Sequence, residues 1–311
     1  MKYEVAALLF FATLFVINLS VAPVEITVRA VPNYTASFTP YVSKVGSFNL
    51  SISHSLLYRN IRWAEMPVVY RIRDCSQVRT QDIKLAMSMW EERTGGAVKF
   101  VEGDDPELVI NCTSHYEKTY RDGYIITKLG EGGPTRIIST RLFNVTVSAV
   151  ATIASTTREC TRPIRILHEL GHTLGLDHSD NPESIMYPYE DCAQDFTPEI
   201  IQTIKALYSV PSRPDLYFDE VTGSRSGRYA NISFTIGNQG LKPSGATELV
   251  INTSTASWSY QLPPLEPSAK ISVNVSNLFV GSSESVTLRI DPLQKVPEIF
   301  ENNNEAVLRP G

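Results

Sequence analysis

Three of the chain's five histidines fall within eleven residues, in the run His168-Glu169-Leu170-Gly171-His172-Thr173-Leu174-Gly175-Leu176-Asp177-His178. On a helix, positions i and i+4 share a face with Cβ atoms about 5–6 Å apart, so the His168 and His172 imidazoles can converge on one ion. Zinc accepts such nitrogens at about 2.0–2.1 Å in tetrahedral geometry. Glu169, one step round the helix, can reach the open side of that ion without ligating it, where a general base for water belongs. Gly175 can take the positive φ that ends a helix, and His178 then closes the site from a loop. A helix with ordinary core or surface histidines is the plain alternative. It would be preferred for one isolated histidine, but not for five specified positions at fixed spacing.

The run resembles the zinc signature of metzincin proteases. His-Glu-Leu-Gly-His-x-Leu-Gly-Leu-x-His-Ser, completed by Ser179, is similar to the matrixin branch of that clan. The resemblance implies an α+β metzincin catalytic domain: a twisted mixed sheet with two long helices below it. It also implies a single catalytic zinc held by His168, His172 and His178, with Glu169 as general base. Met186, eight residues after His178, looks like the Met-turn residue packed beneath such ligands, and Tyr187-Pro188 resembles the wall of the primed-side specificity pocket. A methionine in a loop otherwise only fills a gap.

The elements that must hold these residues can be read outward from them. Thr161, with Pro163 in the first turn, is expected to start the zinc helix, with Ile164, Leu167 and Leu174 packed under the sheet. Thr197-Pro198-Glu199 is a second helix start. The stripe Ile200, Ile201, Ile204, Leu207 and Tyr208 follows it, and Pro211 and Pro214 end the unit. Upstream, Trp63 to Arg73 ends in an alternating strand that resembles the first strand of a matrixin domain. Thr80 is expected to cap a helix with Asp82 in its first turn, and Ile83, Ala86, Met87 and Trp90 follow helical spacing up to Thr94-Gly95-Gly96. Val98–Glu102, Glu107–Cys112, Gly123–Leu129, Ile137–Leu142 and Val145–Ile153 read as strands. Gly130-Glu131-Gly132-Gly133-Pro134 reads as a hairpin turn, since a phosphate loop would carry Lys-Ser/Thr and lead into a helix. One of the two later strands is expected to be the edge that pairs with an extended substrate in this family; the sequence does not say which. The catalytic match covers about residues 61–209.

Beyond Asp215, short alternating runs at Tyr229–Gly237, Leu249–Asn252, Ile271–Val275 and Val286–Ile290 suggest an all-β immunoglobulin-like sandwich. Pro214-Asp215-Leu216, Gly237-Asn238-Gln239-Gly240, Leu265-Glu266-Pro267, Ile290-Asp291 and Glu298-Ile299-Phe300-Glu301-Asn302-Asn303-Asn304 resemble the CARDB-type module of prokaryotic surface proteins, over about residues 214–309. The acidic-amide tail can be read as a calcium site or as a plain polar lead-in to a strand, and the second reading is favoured. Larger animal matrixins hold structural calcium and a second zinc in a longer loop rich in histidine and aspartate. Only His115 is available here, so no second zinc is expected, and calcium stays open but is not the favoured reading.

Residues 5–22 form an uncharged apolar run behind Lys2 and Glu4, read as a signal peptide or an N-terminal membrane anchor. Ser20-Val21-Ala22 is a passable cleavage site spoiled by Pro23. Residues 23–60 are expected to be a spacer or short pro-segment. No cysteine precedes Cys75, so latency through a pro-segment cysteine is not expected. Cys75, Cys112, Cys160 and Cys192 suggest two disulfides in an exported chain. Of the three pairings, Cys75 with Cys112 and Cys160 with Cys192 are favoured, the second tying the start of the zinc helix to the loop after Met186. Sequons at Asn18, Asn33, Asn49, Asn111, Asn144, Asn231, Asn252 and Asn274 agree with export. At 311 residues two domains are expected, and a net charge of −5 gives no footprint for nucleic acid.

The sequence therefore predicts an exported or surface-held zinc endopeptidase acting on protein or peptide. One rival is a non-enzymatic cell-surface adhesion protein whose metal site is structural and whose sandwich binds a surface ligand. Another is a metal hydrolase with a non-protein substrate.

Overall fold

Alternating apolar residues build the first sheet. Val68 and Tyr70 turn inward from one strand, and Leu108, Ile110 and Cys112 from its neighbour. The computed structural model describes residues 35–43, 46–115, 117–121, 124–155, 160–282 and 285–310. The apolar run 5–22 and the sequons at Asn18 and Asn33 lie outside them. Among the described residues no helix is long and apolar enough to cross a membrane.

In chain order the elements are β1 (Thr35–Val42), β2 (Ile61–Trp63), β3 (Val68–Arg73), α1 (Gln77–Arg93), β4 (Phe100–Glu102), β5 (Leu108–Thr113), β6 (Lys118–Arg121), β7 (Tyr124–Thr127), β8 (Gly130–Ser139), β9 (Asn144–Ala154), α2 (Ile164–Thr173) and α3 (Pro198–Ser209). Then come β10 (Leu216–Ser226), β11 (Tyr229–Asn238), β12 (Thr247–Asn252), β13 (Ser257–Leu262), β14 (Lys270–Phe279), β15 (Val286–Ile290) and β16 (Glu305–Pro310). The first sheet runs β2-β9-β5-β3-β4 with these pairs parallel, and β8 adds antiparallel to β9. Its mixed character is as expected. The expected pair of long helices is not: α1 has 17 residues, but α2 has only 10 and α3 12. α2 is short because Gly175, at φ 95°, turns the chain away one residue after the Leu174 C-cap.

Two tryptophans fix α2 under the sheet. Trp90 Nε1 on α1 donates to Leu167 O at 3.1 Å, and Trp63 Nε1 donates to Thr173 O at 2.9 Å. Both rings are fully buried in the core with Leu167, Leu170 and Met186, and truncating such a side chain to alanine costs about 3–5 kcal/mol. α1 begins earlier than the sequence suggested. Ser76, not Thr80, is the N-cap, its hydroxyl accepting from Arg79 N–H, and Thr80 N–H is already bonded to Ser76 O. Asp82 lies buried inside the helix beside Arg79 rather than in its first turn. Pro163 is the N-cap of α2, so Thr161 stands outside it.

The largest departure is the glycine-rich turn. Gly130 to Pro134 is not a turn but the start of strand β8, paired with β9 from Gly130↔Ile153 to Ser139↔Asn144. The hairpin's bend lies instead around Thr140–Phe143.

The C-terminal strands form two sheets that share β1. Thr35–Ser37 pair with β10, beside β11 and β14, while Phe38–Val42 pair with β16, beside β15, β12 and β13. Phe218, Phe234, Ile236, Ile251, Leu288 and Leu308 fill the space between them. The stretch expected to be a spacer thus supplies the sandwich with a strand. Its later part is a strap on the first unit. Ser53 and His54 N–H donate to Thr203 Oγ1, Asp177 N–H donates to Ser55 O, and Leu57 N–H donates to Gly175 O.

A third apolar cluster, Leu142, Phe143, Val145, Val210 and Leu241 with Phe48 and Phe300, joins the two halves. Next to it Asp215 and Glu298 are buried, and burial pushes their carboxyls up, to about 6 and about 8.

Candidate metal centre

α2 carries His168 and His172 on successive turns with Glu169 next to the first, and the loop after Gly175 returns His178 to the same place. One ring nitrogen from each histidine lies within 4.8 Å of the others, with ring centroids 4.7, 4.8 and 5.3 Å apart. The orientation of two rings is set by backbone. His168 Nδ1 bonds Ile185 O at 2.7 Å and His172 Nδ1 bonds Leu176 O at 2.8 Å. A carbonyl can only accept, so both Nδ1 atoms carry the proton and both Nε2 atoms present lone pairs. Those two Nε2 atoms face each other at 3.0 Å. Two acceptors at that separation repel unless they share a cation, so the donor set fits a metal ion and fits its absence poorly. Burial, with the neighbouring imidazole, pushes His168 down to about 4, and burial lowers His172 as well. Both rings are thus neutral ligands at physiological pH.

The loop carrying His178 is held from two sides. Leu176 bridges Leu56 of the strap, and His54 Nε2 bonds Asp177 O at 2.9 Å. Across the loop, Ser179 N–H donates to Met186 O at 2.8 Å. Met186 is fully buried directly beneath α2: a Cβ on Gly171 would stand 2.3 Å from its sulfur. Any larger residue at 171 would displace the methionine or the helix.

Glu169 is buried beside the histidines. A Cβ on Gly130 would sit 2.3 Å from its Oε1, and one on Gly132 would sit 2.2 Å from its backbone oxygen. These glycines let the edge of β8 lie directly on the face of α2 that carries Glu169. Burial raises the Glu169 carboxyl to about 8, with Lys128 pulling the other way. A divalent cation next door opposes that rise, because positive charge favours the carboxylate.

These groups line a cleft of about 720 Å³ with Thr127 to Gly132 on one side and Tyr187, Pro188, Tyr189 and Glu190 on the other. Among the described strands β8 has a partner on one side only, so its free edge faces this groove. Cys160–Cys192, with Cα atoms 5.2 Å apart, closes the end of the cleft and ties the approach to α2 to the loop after Met186. Cys75–Cys112, at 4.9 Å, lies away from it and links the start of α1 to β5. Both favoured pairings are the ones formed.

Every site residue expected from the sequence is in or beneath the cleft, apart from Cys75 and Cys112. Sequence reasoning missed Gly130 and Gly132, and the Arg165–Glu190 ion pair (Nη2 to Oε2, 2.8 Å) in the wall. The alternating Gly130-x-Gly132 was the available signal; in a strand it marks close approach of another backbone.

Comparison with known proteins agrees with these two halves. Residues 152–209 match the matrixin family model, and residues 213–307 match the CARDB model. Over 44 residues the chain is 48% identical to the "Probable matrix metalloproteinase 095L" of Invertebrate iridescent virus 3, a stretch covering 14% of this chain and 12% of that protein. The chain therefore carries a segment similar to the matrixin family followed by a segment similar to CARDB.

Proposed function

We propose that this chain is an exported, zinc-dependent endopeptidase, with residues 61–209 as its catalytic unit and residues 214–309 as an accessory sandwich. The observation that supports it most is the pair of Nε2 lone pairs facing each other at 3.0 Å beside buried Glu169, inside a groove flanked by a free strand edge. His168, His172 and His178 would hold the ion. Zinc in that place supplies Lewis acidity, polarising a carbonyl and lowering the pKa of water toward about 7.

The rest is done by the chain. An extended substrate pairs with the outer edge of β8, which sets its register over α2. The side chain after the scissile bond enters between Tyr187-Pro188 and the Arg165–Glu190 pair. Glu169, whose carboxylate the close approach of Gly130 and Gly132 confines, takes the proton of the attacking water and then delivers it to the leaving nitrogen. The two disulfides fit an oxidising compartment and hence export.

The test is Glu169→Gln in the full chain, assayed on casein or a quenched peptide library. The expected result is hydrolysis lower by about 10²–10⁴ with zinc content unchanged. Retained hydrolysis would overturn the assignment, and a wild type that cleaves no peptide would leave the structural-metal adhesion reading and the non-protein metal hydrolase in its place.

A further inference from the structure

Where the sandwich meets the zinc unit, five buried side chains form a nest of oxygens. Asp215, Gln239, Glu298, Asn303 and Asn304 are all more than nine-tenths buried. Each amide nitrogen holds a carboxylate. Gln239 Nε2 donates to Asp215 Oδ2 at 2.7 Å, Asn303 Nδ2 donates to Asp215 Oδ1 at 3.1 Å, and Asn304 Nδ2 donates to Glu298 Oε1 at 2.7 Å. Backbone adds Phe300 N–H to Asp215 Oδ1 and Leu216 N–H to Glu298 Oε2.

The carbonyl oxygens of the same three amides have no hydrogen-bond partner and are sealed from solvent. Flipping Gln239 or Asn303 does not help, since it would set an amide oxygen against an oxygen of Asp215. Among the described residues no lysine, arginine or histidine is hydrogen-bonded to Asp215 or Glu298. A carboxylate offers about four lone-pair directions. Asp215 has three donors and Glu298 two, so both keep accepting capacity.

We propose that Asp215, Glu298 and the side-chain carbonyls of Gln239, Asn303 and Asn304 bind one calcium ion at this junction. The donor set selects the ion. It is all oxygen, charged and uncharged, with no imidazole or thiolate, which suits a hard cation rather than zinc. Calcium takes six to eight oxygens at about 2.3–2.6 Å in adaptable geometry, whereas magnesium demands a strict octahedron and gives up its water reluctantly. The site also has a mechanical consequence. Phe300, whose N–H is held by Asp215, packs on Phe48 with ring centroids 4.9 Å apart in the apolar cluster that joins the two halves. Calcium bound to Asp215 therefore stiffens the joint between zinc unit and sandwich.

The experiment is calcium titration of the zinc-loaded full chain, followed by calorimetry and thermal unfolding, with magnesium as the comparison ion. One calcium per chain is expected, in the roughly 10⁻⁴–10⁻³ M range of extracellular modules, with a higher Tm that magnesium does not reproduce. Glu298→Gln should weaken binding by at least about tenfold, while Glu220→Gln, an exposed position on β10, should leave it unchanged. If Glu298→Gln does not fold, Asn304→Asp serves instead: added charge should tighten calcium binding. Absence of binding heat and of a Tm response in the wild type, or an equal response in Glu298→Gln, would overturn the proposal. The outcome does not depend on whether the zinc unit cleaves peptides.

Discussion

The histidine cluster and the acid-amide nest both gather metal donors, but they are held by different means. In the first, the second nitrogens of His168 and His172 are fixed by the carbonyls of Ile185 and Leu176, so the rings are set before any ion arrives. In the second, the donors hold one another, amide to carboxylate, with Glu298, Asn303 and Asn304 on the tail leading into β16 and Asp215 and Gln239 at the ends of β10 and β11. A centre fixed by backbone can keep one open side for chemistry, while one fixed by its own ligands suits an ion that only stiffens. Glu169 accordingly lines a groove, while Glu298 is buried among its own hydrogen-bond donors.

The comparison breaks most visibly at His178, the only histidine of the three on the exposed loop. His178→Ala should lose both zinc, by metal analysis, and hydrolysis, by about the same factor as Glu169→Gln. Its circular dichroism and its calcium response should persist. If zinc stayed bound, the three-imidazole centre would be disproved.

Gly132→Val probes how β8 is positioned. Its Cβ would collide with backbone rather than with a movable side chain, so the strand must lift from α2. A loss of roughly 1–3 kcal/mol in urea unfolding is expected, with kcat falling further than the stability change explains. Unchanged kinetics would remove β8 from the substrate groove.

The smallest effect concerns the loop behind the Met-turn. Burial pulls the Asp195 carboxyl up, but Phe196 N–H and Arg162, with Arg93 beyond, outweigh it and hold its pKa below the ordinary value. Its folded pKa is therefore depressed. The stability it contributes is present above the unfolded value near about 3.9 and is lost as pH falls through the folded value. Asp195→Asn should flatten that part of the acid-unfolding curve only slightly, since the group is partly exposed and screened. A larger effect at neutral pH than in acid would contradict this sign.

Much of this was readable from local pattern. The spacing of His168, His172 and His178 needs only helical geometry and one glycine, and α3 shows its cap, proline and stripe in adjacent residues. What escaped was fixed by residues far away in the chain. Gly130 and Gly132 look like a turn because their smallness answers to Glu169, which no window around residue 130 contains. β1 and the strap at residues 53–57 were hidden likewise, since their partners lie at Arg309, Asp177 and Thr203. Thr80 has the residue type of a cap, but Ser76, four residues earlier, already takes that place and starts the helix.

The shared strand β1 also sets an order of synthesis. It is among the first described residues to leave the ribosome, yet its partner β16, paired from Phe38↔Pro310 to Val42↔Ala306, is among the last. The zinc unit is encoded between them. At about 5–20 residues per second, the segment from α3 to β16 takes roughly 5–20 s to emerge. Throughout that interval the histidine-bearing unit can be complete while Phe38–Val42 of β1 wait for their partner, so the sandwich closes only after β16 has emerged.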